Sequence, residues 1–333
     1  MSEKTEWIFS LLADMHGRLF FKLKKGGAFL ALLFLSFLLS IPHTSYALTK
    51  KEAILLARKA EKGDRRSFSR LNHLAMKGDL WSEIVLGDYY LRGKSGKKDP
   101  VKSFRWYLKA ARKGNPDAET DVGAAYFYGE GVPANYLIAR DWFYKSAVQG
   151  FVNGENWMGT LYASGLGVSK DIPEAMIWYR KAAAGGDAGA ATDLGVIYQD
   201  GLLGRKDFAR ARQWFKVAVS RNDPQAMAML ASLYKYGQGV PRDFSKAVFW
   251  YQKSAALGSV VAAYGLGICY AQGQGVPKDR VRAYAWLSRV LTASKIHSKT
   301  WMVVKREIAY LARKMSSDQL AKAKALSMKL PGA

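Results

Sequence analysis

Tryptophan recurs at Trp106, Trp142, Trp178, Trp214, Trp250 and Trp286, each 36 residues after the one before. A fixed period between about 20 and 50 residues marks a chain that stacks copies of one supersecondary unit, each burying its apolar face only against its neighbours. Length alone would predict two globular domains for 333 residues, and the period overrides that expectation. Tyrosine keeps the same phase at Tyr90, Tyr126, Tyr162, Tyr198, Tyr234 and Tyr270. Glycine stands three residues before it at Gly87, Gly123, Gly159, Gly195 and Gly267, with Ala231 in the fifth copy. A turn glycine follows at Gly93, Gly129, Gly165, Gly201, Gly237 and Gly273, and six residues beyond each comes Asp99, Asn135, Asp171, Asp207, Asp243 or Asp279.

Each copy reads as two helices. Ala190, Leu194, Ile197 and Tyr198 fall on one face of the first, and Ala175, Trp178, Tyr179, Ala182 and Ala183 on one face of the second, by the spacing of a helical stripe. The recurring Asp or Asn sits where an N-cap oxygen accepts an orphan backbone N–H. Asp171 with Glu174 has the form of a capping box, and Pro100 takes the first helical position, where its missing N–H costs nothing. Gly114, Gly150, Gly186 and Gly258 end the second helix in a left-handed conformation, after Lys109, Lys145, Lys181, Lys253 and Arg289 have complemented its negative end. Asn115-Pro116 and Asp223-Pro224 start the next copy. The glycine inside the first helix costs about 1 kcal/mol against alanine, so its repetition predicts a notch into which an aromatic ring of a neighbouring helix presses.

Leu194-Gly195-Val196-Ile197-Tyr198, Gly237-Gln238-Gly239-Val240-Pro241 and Trp178-Tyr179-Arg180-Lys181-Ala182-Ala183 resemble the Sel-one-like repeat family, relatives of the tetratricopeptide repeats, whose 34-residue unit has a similar L-G-x-x-Y segment. The resemblance covers six units over residues 80–294. Two departures concern loops. Gly93 and Gly96, like Gly201 and Gly204, replace G-x-G by G-x-x-G, and the fourth unit has Asn222 where a terminal glycine is expected. The resemblance implies an all-α, right-handed α-solenoid that acts as an adaptor in protein complexes, often bacterial, without enzymatic activity of its own.

The two ends differ from the array. Lys22, Lys24 and Lys25 precede an uncharged stretch from Gly26 to Ile41, and Ser45 and Ala47 are small residues placed for cleavage. Residues 1–47 therefore read as a secretory signal peptide. The apolar core is short against the roughly 20 residues of a membrane span, and Met15 is an alternative start. A cleaved leader implies a periplasmic or secreted protein; an uncleaved one implies anchoring in the inner membrane. Residues 48–79 read as an N-terminal helix pair opened by Thr49 and Glu52, and residues 295–333 as basic C-terminal helices that cover the last unit, with a helix start near Ser316 and Gln319.

The formal net charge is +24. Residues 280–333 hold twelve Lys and Arg against Glu307 and Asp318, a local excess of +10. The excess reads either as a solvated helical surface or as attraction to an anionic partner, such as an acidic protein, phospholipid headgroups or an envelope polymer. No nucleic-acid module is recognisable, which argues against nucleic acid. The single cysteine, Cys269, falls on the buried stripe of a first helix and forms no disulfide framework. His73 and His297 lie at opposite ends of the array and have no metal-ligand spacing. Gly93-Lys94-Ser95 lacks the earlier glycine of a phosphate loop, which is Asp88 here, and follows a helix instead of a strand. No catalytic, cofactor or metal site is expected.

A partner-binding face is expected on the first helices, opposite their apolar stripe. Asp88, Phe127, Gln199, Lys235 and Tyr264 are its candidates, together with Trp157, a tryptophan outside the periodic set. Phe127 and Trp157 have two readings, as aromatic anchors for a partner or as extra packing against the next unit. The resulting expectation is an exported, non-catalytic scaffold for protein partners in a bacterial envelope or a host. The competing expectation is an envelope enzyme or wall-polymer binder that uses the basic C-terminal region.

Overall fold

A computed structural model describes residues 47–93, 98–293 and 299–331. Among these residues there are sixteen helices and no strand. Two helices, α1 (Lys50–Glu61) and α2 (Arg65–Met76), precede six helix pairs: α3 (Leu80–Arg92) and α4 (Pro100–Ala111), α5 (Pro116–Tyr128) and α6 (Tyr136–Val148), α7 (Val152–Ser164) and α8 (Ile172–Ala184), α9 (Ala188–Asp200) and α10 (Phe208–Val219), α11 (Pro224–Tyr236) and α12 (Phe244–Ala256), α13 (Val260–Gln272) and α14 (Arg280–Ala293). Two more, α15 (Lys299–Arg313) and α16 (Ser317–Lys329), follow, and both pack on α14. Each helix otherwise packs chiefly on its partner and on the adjacent pair, and the first helices α5 and α7, α7 and α9, and α11 and α13 also touch one another. This is the α-solenoid that the period requires. The leader segment and His297 lie outside the described residues.

Local chemistry sets the boundaries. Asp99, Asn135, Asp171, Asp207 and Asp243 each accept a backbone N–H in the first turn of the second helix. The reciprocal half of a capping box is found at Thr49–Glu52 and Ser316–Gln319; at Asp171 only the carboxylate half is present. The same cap residues explain their fixed distance from the tyrosines. The backbone N–H of Asp99, Asn135, Asp171, Asp207, Asp243 and Asp279 donates to the carbonyl of Tyr90, Tyr126, Tyr162, Tyr198, Tyr234 and Tyr270, at 2.8–3.0 Å, and so closes each inter-helix loop. In four pairs a cation adds to this closure. Lys102, Arg210, Lys246 and Arg282 each pair with the cap aspartate at 3.0–3.5 Å and lie over the tyrosine ring.

The mid-helix glycines are notches, as expected, but the ring that fills them belongs to the residue after each tryptophan. A Cβ on Gly87, Gly123, Gly159 or Gly195 would come within 2.4–2.6 Å of the ring of Tyr107, Phe143, Tyr179 or Phe215, and one on Gly267 would meet Leu287 at 2.6 Å. These five side chains are at most 4% exposed. Where Ala231 replaces the glycine, Tyr251 sits instead against Gly265 of the next pair. Among the periodic tryptophans only Trp178 is buried; the others are half-buried. The ammonium groups of Lys109, Lys145 and Lys181 lie over Trp106, Trp142 and Trp178 at 4.1–4.2 Å, and that of Lys253 over Trp250 at 5.4 Å. These four indoles thus form a second layer, under a lysine lid.

Hydroxyl groups in the deep layer follow a rule of their own. Tyrosine is the deep-layer ring of the first, third and fifth pairs, and each phenol has a polar partner on its own first helix. Tyr107 donates to Asp88 at 2.6 Å, Tyr179 to Thr160 at 3.3 Å, and Tyr251 shares a hydrogen bond with Ser232 at 2.9 Å. In the second and fourth pairs the ring is Phe143 or Phe215, and the corresponding first-helix residue is Ala124 or Val196. A buried hydroxyl without a partner would cost about 1–3 kcal/mol, and the chain avoids that cost pair by pair.

Candidate partner-binding surface

First helices touch at the α5–α7, α7–α9 and α11–α13 junctions, and their outward residues mark out a first-helix strip. The six sequence candidates lie on it in different settings. Phe127 and Trp157 come together, with ring centroids 5.0 Å apart. Trp157 also stacks face to face on the fully buried Phe143, at 4.8 Å and an interplanar angle of 4°. Tyr128 and Tyr136 complete the cluster, at 5.0 and 5.2 Å from Phe127, and they are 62% and 40% exposed. Both readings of Phe127 and Trp157 thus have a physical basis. Phe127 packs against Trp157 of the next pair, Trp157 against Phe143 of the preceding one, and both adjoin two open tyrosines.

The other candidates stay in their own pairs. Asp88 is engaged by the Tyr107 phenol. Gln199 is half-buried, with its amide oxygen enclosed and unbonded. Lys235 is only 8% exposed, with its ammonium 5.4 Å from the Tyr236 ring. Tyr264 is half-buried against the core of the last two pairs. A hollow of about 610 Å³ opens beside α1 and α2, where His73 shares the wall with Glu52, Arg70 and Lys77. Among the described residues, no three His, Cys, Asp or Glu side chains converge on a metal-sized site.

Two carboxylates that the sequence did not single out share this strip. Burial pushes Asp121 up to about 7, with Asp88 and Asp117 adding like charge. Asp193 is pushed up to about 6 by burial, helped by Asp187 and Asp223. The neighbouring phenols move in the same direction: burial and the nearby aspartates raise Tyr107 and Tyr179 far above the ordinary phenol value. Asp121, Trp157 and Asp193 occupy the same position of successive units, so the strip alternates between protonatable acid and indole. Cys269 is fully buried and its thiol is pushed up by burial.

The repeat geometry has a known counterpart. The Sel1 repeat model matches residues 82–115, 116–151, 152–187, 188–223, 224–259 and 260–289, well over half of the chain. This chain belongs to the Sel1 repeat family. Its structure is similar to that of a Sel1 repeat protein from Oxalobacter formigenes, with a TM-score of 0.68 and 33% identity over 74% of this chain and 100% of that one. It is also similar to c5321, a protective antigen of uropathogenic Escherichia coli with the same repeat fold, with a TM-score of 0.71 and 28% identity. That match covers 84% of this chain and 60% of c5321, so this chain spans less than two thirds of that protein. Among functionally curated proteins none matches. Sel1 repeat proteins generally serve as scaffolds for protein–protein interaction. Among the described residues, no helix is long and apolar enough to cross a membrane.

Proposed function

We propose that this Sel1 repeat chain is an exported, non-catalytic scaffold that docks a protein partner along the first-helix strip, in a bacterial envelope or at a host surface. The observation that carries the reading is the aromatic cluster of Phe127, Trp157, Tyr128 and Tyr136. Its inner rings are fixed by packing and its outer two tyrosines are open. A rigid aromatic group with polar tips loses little conformational freedom on binding, which is why such groups dominate interface energetics. Of the other candidates, Tyr264 is the half-buried one left to add selectivity, since Asp88 is held by Tyr107, Lys235 is buried and the Gln199 amide oxygen is enclosed. The positively charged leader with its apolar core supports export, and the likeness to a protective antigen agrees with an envelope or host-facing role.

The basic C-terminal helices supply long-range attraction. Lys305, Arg306, Arg313, Lys314, Lys324 and Lys329 are exposed, so an acidic partner would be steered toward that end, less so as salt screens the field. In-cell crosslinking with the Tyr128→Ala/Tyr136→Ala variant tests the proposal. The parent chain should capture a stoichiometric protein partner and the variant should lose it, with helical content unchanged. Co-sedimentation with purified wall polymer and no protein partner would favour the polymer-binding alternative instead.

A further inference from the structure

Glu83, Glu119 and Glu155 occupy the same place in the first, second and third pairs, near the start of the first helix. All three are buried, at 2%, 4% and 8% exposure. Thirty residues later, at the end of each second helix, the first two pairs supply a donor. The Lys113 ammonium meets the Glu83 carboxylate at 2.6 Å and the Gly78 carbonyl at 2.8 Å, and the Gln149 amide donates to Glu119 at 2.7 Å. In the fourth pair the first-helix residue is Ala191, and Arg221 at the donor position turns to the carbonyls of Ala183 and Asp187. The third pair alone retains the buried carboxylate while lacking a donor side chain, because its position is Gly185.

Backbone geometry does not demand that glycine. Gly185 has φ −71°, an ordinary right-handed conformation open to any residue. Its neighbour Val152 leans into the room a side chain would use, with a methyl 2.4 Å from the place of a Cβ. The same edge is bare in a second respect: Phe151 stands at the N-cap of α7, where the other first helices have Asp79, Asn115, Asp187, Asp223 or Ser259, and it provides no side-chain cap. Lys181 is the cation closest in effect on Glu155, but it lies over the Trp178 ring at 4.2 Å. Burial raises Glu155 from the usual carboxylate value, as an enclosed carboxylate without a bonded partner requires.

We propose that Glu155, with the Gly150 carbonyl in the register of Gly78, is a receptor for one lysine-type ammonium group inserted by a protein partner. That ammonium would make the contacts that Lys113 makes within the first pair. A buried charge-assisted contact of this kind acts as a specificity element, because a partner lacking the amine leaves the carboxylate enclosed and unpaired. The chain's net charge of +24 favours an amine carried on an otherwise acidic partner surface over a free cation, which would bind more weakly. The inference deepens the scaffold reading and rests on it for the existence of a partner.

The test uses the full chain with ¹³C-labelled glutamate side chains, titrated with n-butylammonium as the probe. The Glu155 carboxyl signal, identified by its loss in Glu155→Gln, should shift and saturate before that of the exposed Glu130, and neutral n-butanol should leave it unmoved. Methylguanidinium should bind more weakly than the ammonium. Glu155→Gln should weaken probe binding by at least about tenfold. The Val152→Ala/Gly185→Lys variant should fill the site internally and abolish the response, while Lys181→Met should leave it intact. Three results overturn the proposal: Glu155 responding no more than Glu130, guanidinium binding as tightly as ammonium, or a response that appears only after Lys181 is removed. Because this readout involves no partner, its failure leaves the scaffold reading standing, and failure to crosslink a partner leaves the site standing.

Discussion

At the scale of single residues, the deep layer combines ring volume with polar satisfaction, and this can be tested by a double-mutant cycle. Thr160→Val alone leaves the Tyr179 phenol enclosed without its partner and should cost about 1–3 kcal/mol in chemical denaturation. Adding Tyr179→Phe should recover most of that loss, since it recreates the Phe and apolar combination of the second and fourth pairs. Asp121 tests the electrostatics of the strip. Its folded value of about 7 lies above the ordinary 3.8, so the folded state holds the proton more tightly than the unfolded chain does. Its contribution to stability therefore falls as pH rises from about 4 to about 7 and is level outside that window. Asp121→Asn should raise the unfolding free energy at pH 8 by on the order of 2 kcal/mol, with little change at pH 4.

Elements were legible wherever a local rule decides them. Asp and Asn caps, the turn glycines and the tryptophan phase place all six helix pairs without reference to tertiary contacts. Asn222 is the informative exception. It is the one non-glycine residue with positive φ among the described residues, at 61°, and it occupies the terminal place that Gly114, Gly150, Gly186 and Gly258 fill elsewhere with φ of 75–107°. Asparagine tolerates that conformation and β-carbon residues in general do not. Asn222→Ala should lower stability by about 1–2 kcal/mol and Asn222→Gly should be neutral or better, as read from the melting of the two variants. Depth was less legible than phase. Periodicity placed the tryptophans on an inward face, yet the fully enclosed ring is the next residue, because the helix rotates about 100° per residue and the notch lies nearer that direction. The pairing of Tyr107 with Asp88 was written in the chain as an alternation matched at a distance of nineteen residues; it escapes any search confined to one helix. For the same reason the repeat pattern predicts Asp88 as a surface residue, whereas the structure shows it bonded to a buried phenol.

At the scale of the whole molecule, stability is a sum over neighbouring pairs, and function depends on what that stacking leaves uncovered. The candidate residues are spread along the strip from Asp88 to Tyr264, and only the Phe127–Trp157 cluster concentrates several rings at one place. The sequence had signalled both residues of that cluster, because each breaks the repeat with an aromatic group. Tyr128 and Tyr136 were not signalled, since their exposure depends on how α5 and α6 meet.

Removal of one complete unit, residues 188–223, is the most direct test of the claim that identical helix pairs fold by leaning only on their neighbours. The seam then joins Asp187 to Pro224, and the start of α11 takes the place of the start of α9. The shortened chain should keep its helical circular dichroism per residue and melt cooperatively. Loss of helical signal throughout the chain would contradict it, because that would mean the pairs depend on contacts beyond their neighbours.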